Sequence, residues 1–305
     1  MNISVIIPTY NAQEHLPSLF ETLQRQSASF ELIIIDSSST DDTPALAKKH
    51  ADLFISIPKN SFDHGGTRTK AAKLASGDII VFLTQDALPC SEDTIETLIN
   101  TLKSPDTAAA FGRQLPTEKT SLFGKHLRHF NYPEHSYSRK LEDKEKYGIK
   151  TAFFSDSFSA YKKSVLQEVG WFKDGLIVGE DMHIAAKILL KGYKIAYCAS
   201  AKVYHAHSYT VFEEFRRYFD TGVFHAKESW LLETFGKAEG EGKRFVKSEL
   251  DYLLRHRAYD KLPAFVLRNL MKYLGYKLGR HYNSLPTGLL SKFSMHKAWW
   301  KSHKS

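Results

Sequence analysis

The sequence predicts an α/β protein: a doubly wound, mostly parallel sheet with helices on both faces, followed by a helical C-terminal region. Three observations lead there. Short β-branched runs such as ISVIIPT, FELIIID and GDIIVFL alternate with stretches whose apolar residues recur every three or four positions. The runs are apolar throughout, as in strands covered on both faces. Polar residues gather where the runs end, the edge at which such sheets bind ligands.

The first strand, ISVIIPTYN, ends at Pro8, Thr9, Tyr10 and Asn11, and a helix follows with Leu16, Leu19, Phe20 and Leu23 on one face. FELIIID is a second buried strand. A serine-rich turn then leads to a helix with Thr43 as cap and Pro44 at its first position. LFISI is a short strand, and the loop SFDHGGTRTK opens a helix that stops at Gly77. GDIIVFLTQDA is a central strand. Ser91 is expected to cap the next helix, whose face is Ile95, Leu98, Ile99 and Leu102.

From 116 to 150 periodicity fails, which predicts a long loop or lid with partial helix. EDMHIAAKILLKG is a helix closed by Gly192, KIAYC and KVYHAH are strands, and the chain after Tyr209 is wholly helical. The expected organisation is thus a nucleotide-binding and catalytic domain over 1–209 and a basic helical region over 210–305.

With 305 residues, 42% of them hydrophobic, the chain can bury a substantial core. Cys90 and Cys198 lie far apart with no charged, apolar leader ahead of them, which predicts reduced thiols in a cytosolic setting. No apolar run approaches the length of a membrane span. Residues 210–305 hold 18 Lys+Arg against 10 Asp+Glu, so they carry the whole net charge of +8, and nine Lys/Arg with no acid follow Asp260. Such a tail seeks anionic lipid or another polyanion. Leu267, Leu270, Met271, Leu274 and Leu278 form one helical face flanked by Arg268, Lys272, Lys277 and Arg280, and Trp299 and Trp300 lie between lysines. That arrangement suits either a bilayer surface or packing on the protein's own domain.

The chemistry-bearing residues stand at strand ends. In SFDHGGTRTK the glycines and Arg68 at a helix start suit an anion, or the glycines merely turn the chain. Asp36 and Asp86 end strands. Asp86 is placed as a metal carboxylate or as a turn cap. Glu180 and Asp181 begin a helix, where acids often serve only the dipole. His205 and His207 alternate along an expected strand and share one face, as metal ligands or as structural side chains.

Taken in order, IIPTYN, IIIDSSSTDDT, HGGTR, FLTQDA, GED and VYHAH resemble the motifs of family 2 glycosyltransferases with the GT-A-type fold, across about residues 1–209. FDHGGTR with TQDA, and HAHSYTVFEEFRRYFDTGVFH, are similar to bacterial rhamnosyltransferases that use dTDP-L-rhamnose in surface-polysaccharide (O-antigen-like) synthesis. The resemblance implies an inverting transfer to a hydroxyl of a lipid-linked or oligosaccharide acceptor, with Asp181 as catalytic base. It implies that Pro8, Thr9, Tyr10, Asp36, Ser37, Arg68, Gln85 and Asp86 bind the nucleotide sugar. Mg²⁺ or Mn²⁺ is then held by Asp86 and His207, and the acceptor is met by Trp171 and Glu180.

Two positions depart from the family pattern: Thr84 stands where the DxD motif has its first aspartate, and Ser37 where a second acid is usual. A same-fold transferase using a UDP- or GDP-sugar and a non-catalytic assembly scaffold are the alternatives. No base-reading motif accompanies the basic tail, so no nucleic acid is expected. The expected place is the cytoplasm, peripheral at the inner face of the cell membrane.

Overall fold

The computed structural model describes residues 2–236 and 239–302. Nine strands make one mixed sheet: β1 (Ile3–Thr9), β2 (Glu31–Asp36), β3 (Leu53–Ser56), β4 (Ile79–Leu83), β5 (Leu88–Pro89), β6 (Thr107–Leu115), β7 (Tyr137–Arg139), β8 (Phe158–Lys162) and β9 (Lys194–Tyr204). Their order is β3-β2-β1-β4-β8-β6-β9-β5, with β7 also paired to β9. β1 through β4 pair in parallel, β8 runs antiparallel to both β4 and β6, and β6 and β9 are parallel again. The alternation along β1 explains why both faces are covered. Ile6 packs on one side with Phe82, Tyr161, Ile184 and Ile188, and Val5 and Ile7 on the other with Leu16, Leu19, Ile95 and Leu98.

The helices of the sheet region are α1 (Leu16–Gln24), α2 (Thr43–His50), α3 (His64–Leu74), α4 (Thr94–Asn100), α5 (Leu122–Asn131), α6 (Lys144–Tyr147), α7 (Lys163–Glu168) and α8 (Glu180–Leu190). Three sequence expectations change here. The stretch 116–150 carries strand β7 in addition to the partial helix expected, which is α5 and α6. Phe123, His126 and Arg128 form a buried face on α5 that the surrounding lysines and histidines masked in the sequence. KIAYC and KVYHAH are a single strand, β9, which stays on β6 by a register shift between Gly112 and Arg113 and ends before His205. Helix α4 starts at Thr94 rather than beside Ser91, whose hydroxyl bonds the Asp93 carboxylate at 2.6 Å instead.

Beyond Tyr209 come α9 (Val211–Lys227), α10 (Ser229–Phe235), α11 (Glu239–Arg255), α12 (Leu262–Arg280), α13 (Thr287–Phe293) and α14 (Lys297–Ser302). Helices α9 and α12 touch backbone to backbone. A Cβ at Gly279 would lie 2.0 Å from the Phe219 carbonyl oxygen, and one at Gly275 2.3 Å from that of Phe215. Between them runs a buried ionic network in which Arg268 meets Glu214 at 2.9 Å and Lys272 meets Glu214 and Glu249 at 3.6 Å each.

Two of the cations expected to flank an outward leucine face, Arg268 and Lys272, are therefore turned inward, since buried carboxylates must be paired. Arg280 likewise donates to the His225 carbonyl. What α12 exposes is apolar: Val266, Leu267, Leu270, Tyr273 and Leu274. Trp299 and Trp300 do not face outward as an interfacial pair. Trp299 donates its Nε1–H to the Gly175 carbonyl at 3.0 Å, and Trp300 packs on Phe219 and Tyr282.

Gly279→Ala should destabilise the protein by about 1–3 kcal/mol through overpacking of this seam. Gly288→Ala, where a Cβ meets nothing within 4 Å, should be neutral or slightly stabilising. Thermal melts of the two variants check this, and equal melting temperatures would show that α9 and α12 do not touch at Gly279.

Candidate active site

The parallel strands β1, β2 and β4 end side by side, and the turns that follow them build a polar edge. Thr9 donates to Asp36 Oδ1 at 3.0 Å, and Ser39 N and Oγ donate to the two Asp36 oxygens at 2.9 and 2.5 Å. Ser37 is buried, with its N–H on the Thr9 carbonyl at 2.9 Å and its hydroxyl without a partner. Pro8 lies opposite Ile35 in the β1–β2 register. Tyr10 is exposed, and its backbone holds the Gln85 amide from both sides at 2.9 and 3.3 Å. The Lys59 ammonium lies over the Tyr10 ring, 4.4 Å from its centre. The edge thus offers an aromatic face and a cation beside a rigid loop.

After β4 the turn Thr84-Gln85-Asp86 carries Asp86 toward the chain beyond β9. His205 and His207 no longer belong to the strand, yet both reach Asp86, at 3.4 and 3.7 Å from Nε2 to the carboxylate oxygens. Their rings meet edge to face at 4.7 Å. One donor atom from each of the three residues lies within 4.8 Å of the others, so the set can hold a metal ion.

The electrostatics agree with that capacity. Burial alone would raise the Asp86 carboxyl, but the two imidazoles outweigh it and hold it well below the usual range. Burial and the neighbouring His205 bring the His207 imidazole down to about 4, which leaves it neutral with a lone pair to donate.

The second cluster surrounds Arg68. Its guanidinium is buried, 3.0 Å from Glu180 Oε1 and 3.7 Å from Asp156 Oδ2, and also donates to the His64 carbonyl at 3.0 Å. Asp156 accepts from Ser159 at 2.7 Å and Tyr161 at 2.6 Å. The left-handed turn at Gly179 (φ 82°) starts α8 so that Glu180 and Asp181 enter this cluster together.

Three carboxylates thus share one arginine, and like charges in a buried place cannot all ionise freely. Asp181 is pushed well above the usual range by burial and by the charges of Glu180 and Asp156. Asp156 is pushed up to about 6, chiefly by burial. A carboxylate raised in this way is suited to accept a proton near neutral pH.

This geometry revises the reading of SFDHGGTRTK as an anion loop. Helix α3 begins at His64, and Asp63 caps it by accepting from Gly66 N at 2.7 Å and from Gly175 N at 3.0 Å. Gly65 is required by packing, because a Cβ there would stand 2.2 Å from the Lys173 carbonyl oxygen. The helix start is capped by the chain's own carboxylate, and the Arg68 guanidinium is buried against Glu180 and Asp156. Glu180 is likewise occupied by Arg68.

Trp171 is partly buried against the hydrophobic core. The Lys73 ammonium, in the last turn of α3, lies 5.8 Å from the centre of the Trp171 ring. A cavity of about 410 Å³ lined by Lys173, Gly175, Leu176, Phe224, Lys227 and Tyr282 shares no residue with the Asp86 cluster.

Several members of the site were not singled out by the sequence. Asp156 sits in FFSDSFS, just before β8. His296 arrives from the far end of the chain: Asp220 accepts from Met295 N at 2.8 Å, and the His296 ring stands 5.3 Å from that of His64. Only the SDS tripeptide between apolar runs gave a local signal.

Comparison with known proteins agrees with this architecture. The family model described as glycosyl transferase family 2 matches residues 4–170. The chain is 46% identical to the O-antigen chain rhamnosyltransferase RfbN of Salmonella typhimurium, over 99% of this chain and 97% of that protein. It is 44% identical to the O-antigen chain rhamnosyltransferase WbaN of Salmonella anatum, over 99% and 96%. Among solved structures it resembles the mannosyltransferase PcManGT of Pyrobaculum calidifontis in complex with GDP-Man and Mn²⁺. That likeness has a TM-score of 0.61 at 20% identity and covers 98% of this chain and 87% of the other. Staphylococcus aureus TarS 1–349 in complex with UDP-GlcNAc gives a TM-score of 0.60 at 18% identity, over 98% and 85%. The fold is therefore of the GT-A glycosyltransferase type, and this chain is a member of glycosyl transferase family 2.

Proposed function

We propose that the chain transfers L-rhamnose from dTDP-L-rhamnose, with inversion, to a hydroxyl of a lipid-linked glycan during O-antigen-like polysaccharide synthesis. The observation that carries the chemistry is the pairing of two clusters: a metal-type set at Asp86, His205 and His207, and a raised carboxylate at Asp181. The near-full-length similarity to RfbN and WbaN supports the sugar.

In this reading Asp181 takes the proton of the acceptor hydroxyl as its oxygen bonds to the anomeric carbon and the bond from that carbon to the diphosphate breaks. Arg68 steadies the carboxylates around Asp181. The turn of Pro8, Thr9 and Tyr10, with Asp36, Ser37 and Gln85, lines the nucleoside, and Tyr10 presents its exposed ring to the base. A divalent cation held by Asp86, His205 and His207 would neutralise charge on the leaving diphosphate. Two imidazoles with one carboxylate suit Mn²⁺ better than Mg²⁺, which prefers oxygen ligands.

The enzyme would work at the inner face of the cell membrane. Among the described residues no helix is long and apolar enough to cross a membrane. The stripe of Val266, Leu267, Leu270, Tyr273 and Leu274, with exposed Arg255 and Arg257 near its start, suits contact with anionic lipid.

Release of dTDP from dTDP-L-rhamnose with a membrane lipid extract, beside UDP-glucose and GDP-mannose, tests the donor. Asp181→Asn should lower kcat by about 10²- to 10⁴-fold. Because the base must be unprotonated and its folded-state pKa is raised, activity should rise with pH, with a midpoint above the ordinary carboxylate range. Binding of nucleotide sugar without turnover, unchanged in Asp181→Asn, would point to a scaffold instead.

Asp86→Asn should weaken Mn²⁺ binding, followed by the EPR signal of free Mn²⁺, beyond the roughly 10- to 100-fold typical of outer-shell changes. Retention of affinity would remove Asp86 from the metal site. Leu267→Ser, Leu270→Ser and Leu274→Ser together should weaken sedimentation with phosphatidylglycerol vesicles by more than about tenfold, since each buried leucine contributes roughly 1.5–3 kcal/mol. Unchanged sedimentation would exclude this face.

A further inference from the structure

Gln114, one residue before the end of β6, is fully enclosed, and three partners meet its amide. Its Oε1 lies 2.5 Å from Arg128 Nη1 and 2.8 Å from His205 Nδ1, and its Nε2 lies 2.9 Å from Ser155 Oγ. Arginine is a donor in every state and has no acceptor to offer. The glutamine atom facing it must therefore be the oxygen, whatever the ambiguity of amides in general. That same oxygen faces His205 Nδ1, so Nδ1 must carry the ring proton.

With the ring proton on Nδ1 alone, Nε2 turns a bare lone pair toward Asp86 Oδ1, 3.4 Å away. Two acceptors facing each other repel unless a positive charge stands between them. A divalent cation held by the donor atoms of Asp86, His205 and His207 is such a charge.

We propose that Gln114, itself oriented by Arg128, is a positioning residue that fixes His205 in the Nδ1–H tautomer and thereby makes Nε2 a ligand for the divalent cation. The inference rests on the metal reading of the Asp86 cluster given above. Ligating histidines generally donate their second ring N–H to an outer partner that sets tautomer and ring angle, and loss of such a partner typically weakens metal binding by about 10- to 100-fold. Here the partner is an amide whose polarity is dictated by an arginine. The departure at Thr84 gives this added weight, since His205 supplies a donor that the missing aspartate does not.

The test is Mn²⁺ titration of the full chain, followed by the EPR signal of free Mn²⁺, for wild type, Asp86→Asn, Gln114→Met and Gln114→Glu. Gln114→Met keeps the length of the side chain but removes the acceptor, and should bind Mn²⁺ about 10- to 100-fold more weakly. Gln114→Glu still accepts from both Arg128 and His205, and should stay within a few-fold of wild type. Long-range ¹H–¹⁵N spectra of histidine-labelled, metal-free wild type, taken above the imidazole titration range, should show His205 protonated at Nδ1.

Wild-type affinity in Gln114→Met, or an Nε2–H tautomer at His205, overturns the proposal. If Gln114→Met does not fold, the tautomer of the wild type decides. Binding that is absent in wild type, or equal in wild type and Asp86→Asn, overturns the metal reading itself and this inference with it.

Discussion

A guanidinium cannot be buried alone, and much of the catalytic end of this protein follows from how Arg68 is paired. Its partners come from separate pieces of chain: Glu180 at the start of α8 and Asp156 in the turn before β8. To bring them together, α3 must lie close on the 171–175 segment, which is why Gly65 has no room for a side chain. Asp63 holds the same two elements by bonding both Gly66 N and Gly175 N. Removing the arginine would leave carboxylates buried and uncompensated, a far larger cost than the pair itself contributes. Burial, with the excess of acid over base in this cluster, also lifts Asp181 above the usual carboxylate range, so structural pairing and the tuning of the proposed base are one arrangement.

The two halves of the proposed reaction, the metal-type set and the proton acceptor, are joined by the short turn 154–157. Ser155 takes a hydrogen bond from Gln114, Asp156 meets Arg68, and the Ser157 carbonyl accepts from Thr84 N at 3.1 Å, at the end of β4. A shift of this backbone would disturb His205 and Arg68 together. Tying both clusters to one turn couples their positions, and positioning of reacting groups is a large part of catalytic advantage.

Helix α12 shows how charge counted along a chain misleads about surfaces. Its Arg268, Lys272 and Arg280 neutralise buried carboxylates or bond carbonyls, while five of its large apolar side chains face outward. The net charge of the C-terminal region is real, but part of it is spent internally. The face it leaves open is apolar, and its affinity for a membrane would come from leucine burial more than from lysine attraction.

The sequence by itself determined the class of fold, the order of strands and helices in the first hundred residues apart from the short β5, the placement of Asp36 and Asp86 at or just past strand ends, and that of Asp181 at a helix start. These follow from period and from apolar runs, which are local properties. Tertiary structure decided everything that depends on one segment meeting another. His205 joins Asp86 although it lies past its strand, and Asp156 and His296 join Arg68 and His64 from distant positions. The loop SFDHGGTRTK turned out to be a capped helix start because its neutralising carboxylate and its packing partner, Asp63 and Lys173, are identified only once α3 lies on the 171–175 segment. Amphipathic α5 was hidden for a similar reason: its buried face uses His126 and Arg128, polar residues that can be buried only because Glu249 and Gln114 wait for them elsewhere in the fold.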